Sequence, residues 1–340
     1  MPQSSREIVK RCLTFNFPER IPRDLWILPW AKIHHPQAVA EITRRFPNDI
    51  VTTDYSGSPS SLGKSDRYKV GYFTDEWGCV FRNILEGAIG EVETPVLQDI
   101  ADWKSIKPPY ELLPTDTNKA YDTISRFYDQ TDRFVLANCC PRPWERYQFL
   151  RGAENAMIDM MMPDDGPVEL MKVIHDFYLK ELEFWVKSDV DAVWFMDDWG
   201  AQDRLLIQPS LWRELFKPLY RDYCDLAKAY DKFVFMHSDG NISDIFEDLV
   251  EVGIDAVNSQ LFCMDMAELA KRVKGKITFW GEIDRQFILP SEDTQAGREA
   301  VRKVVSHLHS QSGGIIAQLE FGLMANPDTV VAVLEEWDGK

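Results

Sequence analysis

Short, nearly continuous apolar runs alternate along this chain with longer stretches in which apolar residues recur every third or fourth position. The runs read as strands and the longer stretches as helices. Strands are expected at residues 20–28, 49–55, 134–138, 192–196, 232–237, 256–261, 277–283 and 315–320. Helices are expected at 4–15 (capped by Ser5), 36–46, 116–130, 153–162, 167–187, 210–229 with a kink at Pro218, 242–252, 265–273, 296–309 and 328–337. Residues 139–152, dense in Arg142, Trp144, Arg146 and Tyr147, read as a loop. The stretch 56–114 breaks the alternation. It is rich in Gly, Pro and Ser, and offers antiparallel strands at 72–82 and 88–93. About eight strands, nearly all followed by helices, imply a parallel sheet closed as a (β/α)8 TIM barrel of the α/β class. The expected organisation is one domain over 1–340, with 56–114 inserted after the second strand and lying over the barrel mouth.

The segment KFVFMHSDGN, residues 232–241, is the most informative. Its first half is apolar without alternation, as a strand covered on both faces requires. It turns polar within one residue, at His237, Ser238 and Asp239, where the strand should end. His237 and Asp239 are two positions apart and point the same way on extended chain. An imidazole and a carboxylate so placed can hold a metal ion, or can be an ordinary polar turn.

Composition narrows the function. The net charge is −17, which removes the basic face that a nucleic-acid partner needs. No apolar run reaches the length of a membrane span, and residues 1–15 have no signal-peptide core. The six Cys show no CxxC pair, which fits a reduced, cytoplasmic protein. There is no GxSxG, GxxxxGK[ST] or GxGxxG, which argues against serine hydrolase, P-loop and simple dinucleotide chemistry.

Active sites of such barrels lie at the C-terminal strand ends. The polar residues expected there are Asp54, Asn138, Asp197, Asp198, His237, Asp239, Asn258, Gln260, Glu282, Asp284 and Glu320. So many carboxylates in one mouth require either bound protons or a cation among them. A metal at His237, Asp239 and Glu320 is one arrangement the barrel permits. Asp198 and Asp284 read better as helix caps.

Several segments carry a family resemblance. They are FPERIP (17–22), WERYQFLRGAENAMIDM (144–160), WFMDDWGAQDRLLIQPSLWRELFKPLY (194–220), MHSDGNI (236–242), WGEID (280–284) and AQLEFG (317–322). Together they resemble the uroporphyrinogen decarboxylase superfamily, which includes the methylcobalamin:coenzyme M methyltransferases. The resemblance covers nearly the whole chain and implies a (β/α)8 barrel. Where true decarboxylases carry an Arg-rich RQAGR motif, this chain reads LPWAKIHHP (28–36), with no Arg to grip a tetrapyrrole's carboxylates. In the methyltransferase branch, zinc is held by a His-x-Cys pair and a later Cys. His237 matches the His, while Asp239 and Glu320 stand where the thiolates would be. Hard carboxylates in place of thiolates suit zinc or a harder ion.

The resemblance implies a metal-dependent methyltransferase that moves a methyl group between a small substrate and a corrinoid on a separate protein. His237, Asp239 and Glu320 would bind the divalent metal, most simply zinc. Glu282 and Asp197 would be catalytic, and Trp144, Arg146, Asp54 and Gln260 would contact substrate. Two rivals stand beside it. One is a metal-free decarboxylase of a smaller carboxylic acid, with Asp54 or Asp197 as acid/base. The other is a non-catalytic corrinoid or porphyrin binder.

Overall fold

Each apolar run becomes a strand because the barrel covers it on both faces. The computed structural model describes residues 2–161 and 165–340. Its strands are β1 (Arg23–Ile27), β2 (Ile50–Thr52), β3 (Gly71–Thr74), β4 (Val80–Asn83), β5 (Glu91–Thr94), β6 (Phe134–Leu136), β7 (Ala192–Met196), β8 (Phe233–Ser238), β9 (Ala256–Ser259), β10 (Thr278–Trp280) and β11 (Ile315–Phe321). Eight of these pair in the order β1-β11-β10-β9-β8-β7-β6-β2, every pair parallel. This is the expected TIM-type α/β barrel. On β8, Phe233 and Phe235 pack into the barrel interior with Phe134, Ala192, Trp280 and Ile316, while Val234 and Met236 face the helices. Both faces are dry, which is why the run shows no alternation.

The ring of strands is not fully hydrogen-bonded. β1 and β2 diverge, and the Asn48 side chain stands in for a strand residue between them. Its Oδ1 accepts from Leu25 N at 2.8 Å, and its Nδ2 donates to Leu25 O at 3.0 Å. The N-terminal end is plugged by the helix Ser5–Leu13, whose Val9, Cys12 and Leu13 join the interior cluster. Its cap is Ser4, which accepts from Glu7 N; the Ser5 hydroxyl donates instead to Asp49.

Further expectations are corrected. The stretch read as a loop contains the helix Pro143–Arg151. Pro143 in its first turn is a local start signal, but Arg142 is not a capping residue; the cap is Asp197, from the end of β7, accepting from Trp144 N and Glu145 N. Its Trp144, Arg146, Tyr147, Leu150 and Arg151 are all buried, so no polar face betrays the period. The run 72–82 is a hairpin, β3 to β4, turned by Asp75, whose Oδ1 accepts from Trp77 N and Cys79 N. The helix expected to kink at Pro218 is two helices, Pro209–Leu215 and Lys217–Lys228, divided at Phe216. A short helix, Pro29–His34, follows β1 unannounced. Met162, expected to end a helix, lies outside the described residues.

The insertion packs on segments that leave the barrel at the C-terminal strand ends. Leu97 N donates to Leu150 O, Trp77 meets the ring of Phe177 edge-on, and Arg146 pairs with both Asp75 and Glu76. No helix among the described residues is long and apolar enough to cross a membrane.

Asp49 ties the plug helix to the strands. It accepts two hydrogen bonds from Arg20 at 2.6 Å each, one from Ser5 at 2.6 Å and one from Arg23 N at 2.8 Å. Burial alone would raise its pKa, but these donors outweigh burial and hold it below the usual carboxylate value. Folded protein then binds fewer protons here than unfolded protein. The contribution is full above the unfolded pKa and is lost as pH falls through the depressed one. Asp49→Asn should cost about 2 kcal/mol at neutral pH. It should also flatten the loss of stability between about pH 5 and pH 2. Urea unfolding across that range is the check, and parallel acid limbs for variant and wild type would contradict this role.

Candidate active site

β7, β8, β9, β10 and β11 deliver their polar ends to one place, the C-terminal mouth. The loops that follow β7 and β8 cross there backbone to backbone. A Cβ on Gly200 would sit 2.3 Å from Asn241 N, and one on Gly240 would sit 2.1 Å from Gly200 O. Only glycine fits either position. The crossing is tied by Gly200 N to Asp239 O at 3.0 Å, and by Asp239 N to Asp198 Oδ1 at 2.9 Å. It brings Asp198 and Asp239 to the same side of His237.

The imidazole is oriented from behind. Asn258 donates through Nδ2 to Trp280 O, which turns its Oδ1 toward His237 Nδ1, 2.6 Å away. A carbonyl oxygen can only accept, so Nδ1 carries the proton. Nε2 therefore faces Asp239 Oδ1 at 3.4 Å and Asp198 Oδ1 at 3.6 Å. Asp198, His237 and Asp239 can each offer a ligand atom within 4.8 Å of the others. Asp239 Oδ1 is buried and meets no hydrogen-bond partner among the described residues. Burial alone would depress the His237 pKa, but Asp239, Asp198 and the Asn258 acceptor outweigh it and raise it. The Trp26 ring packs 5.5 Å from the imidazole and closes the space beneath it.

Glu320 stands apart from this group. Arg285 lies between them, binding Asp239 Oδ2 on one side and Glu320 Oε2 at 3.2 Å on the other. Its Nη1 is 3.9 Å from Glu282 Oε1, which is buried and has no hydrogen-bond partner among the described residues. Burial pushes Glu282 up to about 8; Arg285 opposes this, and Asp239 and Glu320 add to it. Glu320 is raised too, by burial first, against Arg285. The mouth thus answers its surplus of carboxylates with a guanidinium and with a proton on Glu282 at neutral pH.

The remaining expected site residues are elsewhere or only adjacent. Asp197 is fully buried and turned outward from the barrel, its oxygens accepting from Trp144 N, Glu145 N and Tyr220 Oη. That is a capping position, away from the mouth. Trp144 is fully buried and stacked on Trp199 at 5.2 Å, and Arg146 is buried between Asp75, Glu76 and the Trp77 ring. Neither reaches the His237 group. Asp54 is exposed beyond β2. Gln260 does border the mouth, accepting from Gly240 N at 3.2 Å and lining a small cavity of about 90 Å³ with Glu282 and Arg285. Asp284 receives Gln286 N and Phe287 N, which holds a turn as a cap would. Asp198, read as a cap, belongs with His237 instead. Arg285 and Asn258 are the residues that sequence reasoning passed over. The demand for a cation among the carboxylates could have pointed to Arg285, which directly follows WGEID.

The chain matches the family described as uroporphyrinogen decarboxylase (URO-D) over residues 78–337. It belongs to the URO-D family. No curated protein sequence matches it. Among solved structures, a methyltransferase from Methanosarcina mazei is similar over 99% of each chain, with a TM-score of 0.71 at 11% identity. A GH113 β-1,4-mannanase reaches a TM-score of 0.43 at 11% identity, over 94% of this chain and all of its own. A GH10 endo-β-1,4-xylanase from Gloeophyllum trabeum reaches 0.39 at 11% identity, over 64% of this chain and 80% of its own. At such identities the likeness to these structures is one of fold.

Arg285 neutralises charge for several groups at once, so its loss should be pH-dependent. In Arg285→Met, Asp239, Glu282 and Glu320 face one another uncompensated, and protonation relieves them. The folded pKa values of Glu282 and Glu320, already raised by burial, rise further above the unfolded ones, so stability is lost as pH increases. Thermal melts in chelator should show a deficit of several degrees at about pH 8 and a smaller one at about pH 5. An equal deficit at both would mean that Arg285 acts by packing alone.

Proposed function

We propose that this chain is a metal-dependent methyltransferase of the URO-D family, moving a methyl group between a small substrate and a corrinoid carried by a separate protein. The observation that carries the reading is the aim of His237 Nε2 at two carboxylates, with Nδ1 already spent on Asn258. A ring held through its other nitrogen is the usual preparation of a metal-binding histidine. The unpartnered Asp239 Oδ1 fits the same use. Asp198, His237 and Asp239 would hold a divalent ion, zinc or a harder one, given one nitrogen and two carboxylate donors. When bound, such an ion supplies a Lewis acid that makes a substrate hydroxyl or thiol easier to deprotonate.

The protein's own groups divide the rest of the work. Glu282 holds a proton near neutrality beside the site and can give it to, or take it from, the substrate heteroatom. Arg285 fixes Asp239 and Glu320 and leaves one Asp239 oxygen turned to His237. Gln260 borders the space beside Glu282 and can orient substrate. Trp26 keeps water from beneath the imidazole. Glu320, expected as a ligand from sequence, acts in this reading as the partner that positions Arg285.

A decarboxylase is the second reading, favoured by one observation: a guanidinium and a protonated carboxyl stand side by side. Arg285 could grip a substrate carboxylate while Glu282 protonates the carbanion. Metal analysis of protein purified without chelator separates the two. The methyltransferase reading expects about one equivalent of divalent metal. His237→Ala and Asp239→Asn should lose it, while Glu320→Gln keeps it. Transfer from methylcobalamin should fall about 100-fold in the two metal-site variants. A wild type that holds no metal, gains none when offered it, and matches His237→Ala in activity would sink the methyltransferase reading and leave the decarboxylase.

A further inference from the structure

We propose that the open seam between β1 and β2 binds a small zwitterion, with a methylated ammonium group at its inner end and a carboxylate at its outer end. Because β1 and β2 diverge above Asn48, the barrel wall holds a crevice of about 420 Å³ reaching inward to Asp24, Trp26, Trp194 and Trp280. A barrel of this kind normally fills its interior with side chains. Here space remains beside a buried carboxylate.

The inner end has the chemistry of a methylated-ammonium site. Three indoles meet there at steep angles. Trp26 and Trp280 are 5.1 Å apart at 83°, Trp194 and Trp280 are 6.3 Å apart at 82°, and Trp26 and Trp194 are 6.2 Å apart at 58°. Trp26 and Trp194 remain partly open. Tryptophan is the best aromatic partner for a cation, and cages of such rings recognise quaternary ammonium groups. Asp24 supplies the charge. It is 4% exposed, and among the described residues its hydrogen-bond donors are all neutral. Its Oδ2 accepts from Trp26 Nε1 and Trp280 Nε1, both at 2.9 Å, and its Oδ1 accepts from Asn48 Nδ2 at 3.2 Å.

The donor count selects the ligand. A carboxylate has about four acceptor sites, and neutral donors already take three of Asp24's. One acceptor site is left, so an ammonium with three N–H groups would leave donors unsatisfied. A tertiary ammonium needs one acceptor, and a quaternary one needs none. Burial raises the Asp24 pKa to about 6 against the indole donors, so the group is charged at neutral pH, where a cation would gain from it. At the outer end is Arg133, immediately before β6. It lines the same crevice, and its guanidinium makes no ion pair or hydrogen bond among the described residues. It would repel a simple cation and attract a carboxylate on the same ligand.

The assignment does not rest on the metal reading. Calorimetric titration of the full-length protein with trimethylglycine, tetramethylammonium chloride and sodium acetate tests it. Trimethylglycine should bind saturably, about tenfold more tightly than tetramethylammonium, and acetate should not bind measurably. Arg133→Ala should remove that tenfold preference. Asp24→Asn should abolish binding of both ammonium compounds. If Asp24→Asn does not fold, Trp194→Leu keeps an apolar wall, removes one ring face, and should weaken both about tenfold. No saturable heat with trimethylglycine, equal affinity for trimethylglycine and tetramethylammonium, or binding unchanged in Arg133→Ala and Trp194→Leu would each overturn the proposal.

Discussion

A mouth of low dielectric that gathers Asp198, Asp239, Glu282 and Glu320 must be given positive charge or protons. Every other feature of the site follows from how that demand is met. Arg285 reaches Asp239 and Glu320 together and approaches Glu282. Glu282 keeps a proton to about pH 8. His237 is drawn toward its charged form by the two aspartates on its open side. Among the described residues Glu320 is bound by Arg285, while Asp239 Oδ1 beside His237 and Glu282 Oε1 meet no donor. The asymmetry divides the mouth into a closed, structural half and a half poised for a ligand.

Placement of these groups depends on backbone as much as on charge. The Gly200–Gly240 crossing fixes the separation of Asp198 and Asp239, since any side chain there would push the two loops apart. Behind it, Asp197 caps the helix Pro143–Arg151 and so ties the end of β7 to the segment on which the insertion rests. Neighbouring aspartates on one strand end thus do opposite jobs. Asp197 turns outward to satisfy backbone N–H groups, and Asp198 turns inward to the imidazole. A strand's alternation sends consecutive side chains to opposite faces, and this pair obeys it.

The barrel was legible in the sequence because its signals are local: apolar runs of strand length, capped helical periods and short connections. The His237–Asp239 pair was legible for the same reason. What stayed hidden is settled between distant residues. The helix Pro143–Arg151 borrows its cap from β7 and is buried nearly all round, so Pro143 alone hints at its start and its period does not show. Asp198 and Asp197 are indistinguishable until the strand register is known. Arg146 and Trp144 have the composition of a binding surface but are consumed by the insertion and the Trp199 stack. Arg285 was missed because the acidic ends were weighed for a metal, and a guanidinium answers the same electrostatic need.

The proposed metal position lies among Asp198, His237 and Asp239, with Glu320 outside it. Anomalous diffraction from crystals grown with zinc and measured on both sides of its absorption edge tests that most directly. The expected result is one peak at coordination distance, about 2.0–2.2 Å, from His237 Nε2 and from a carboxylate oxygen of each aspartate. Arg285 should still bridge to Glu320. A peak bound to Glu320 in place of Asp198, or a mouth without a peak in which Arg285 keeps Asp239 and His237 keeps its two carboxylates, would contradict it.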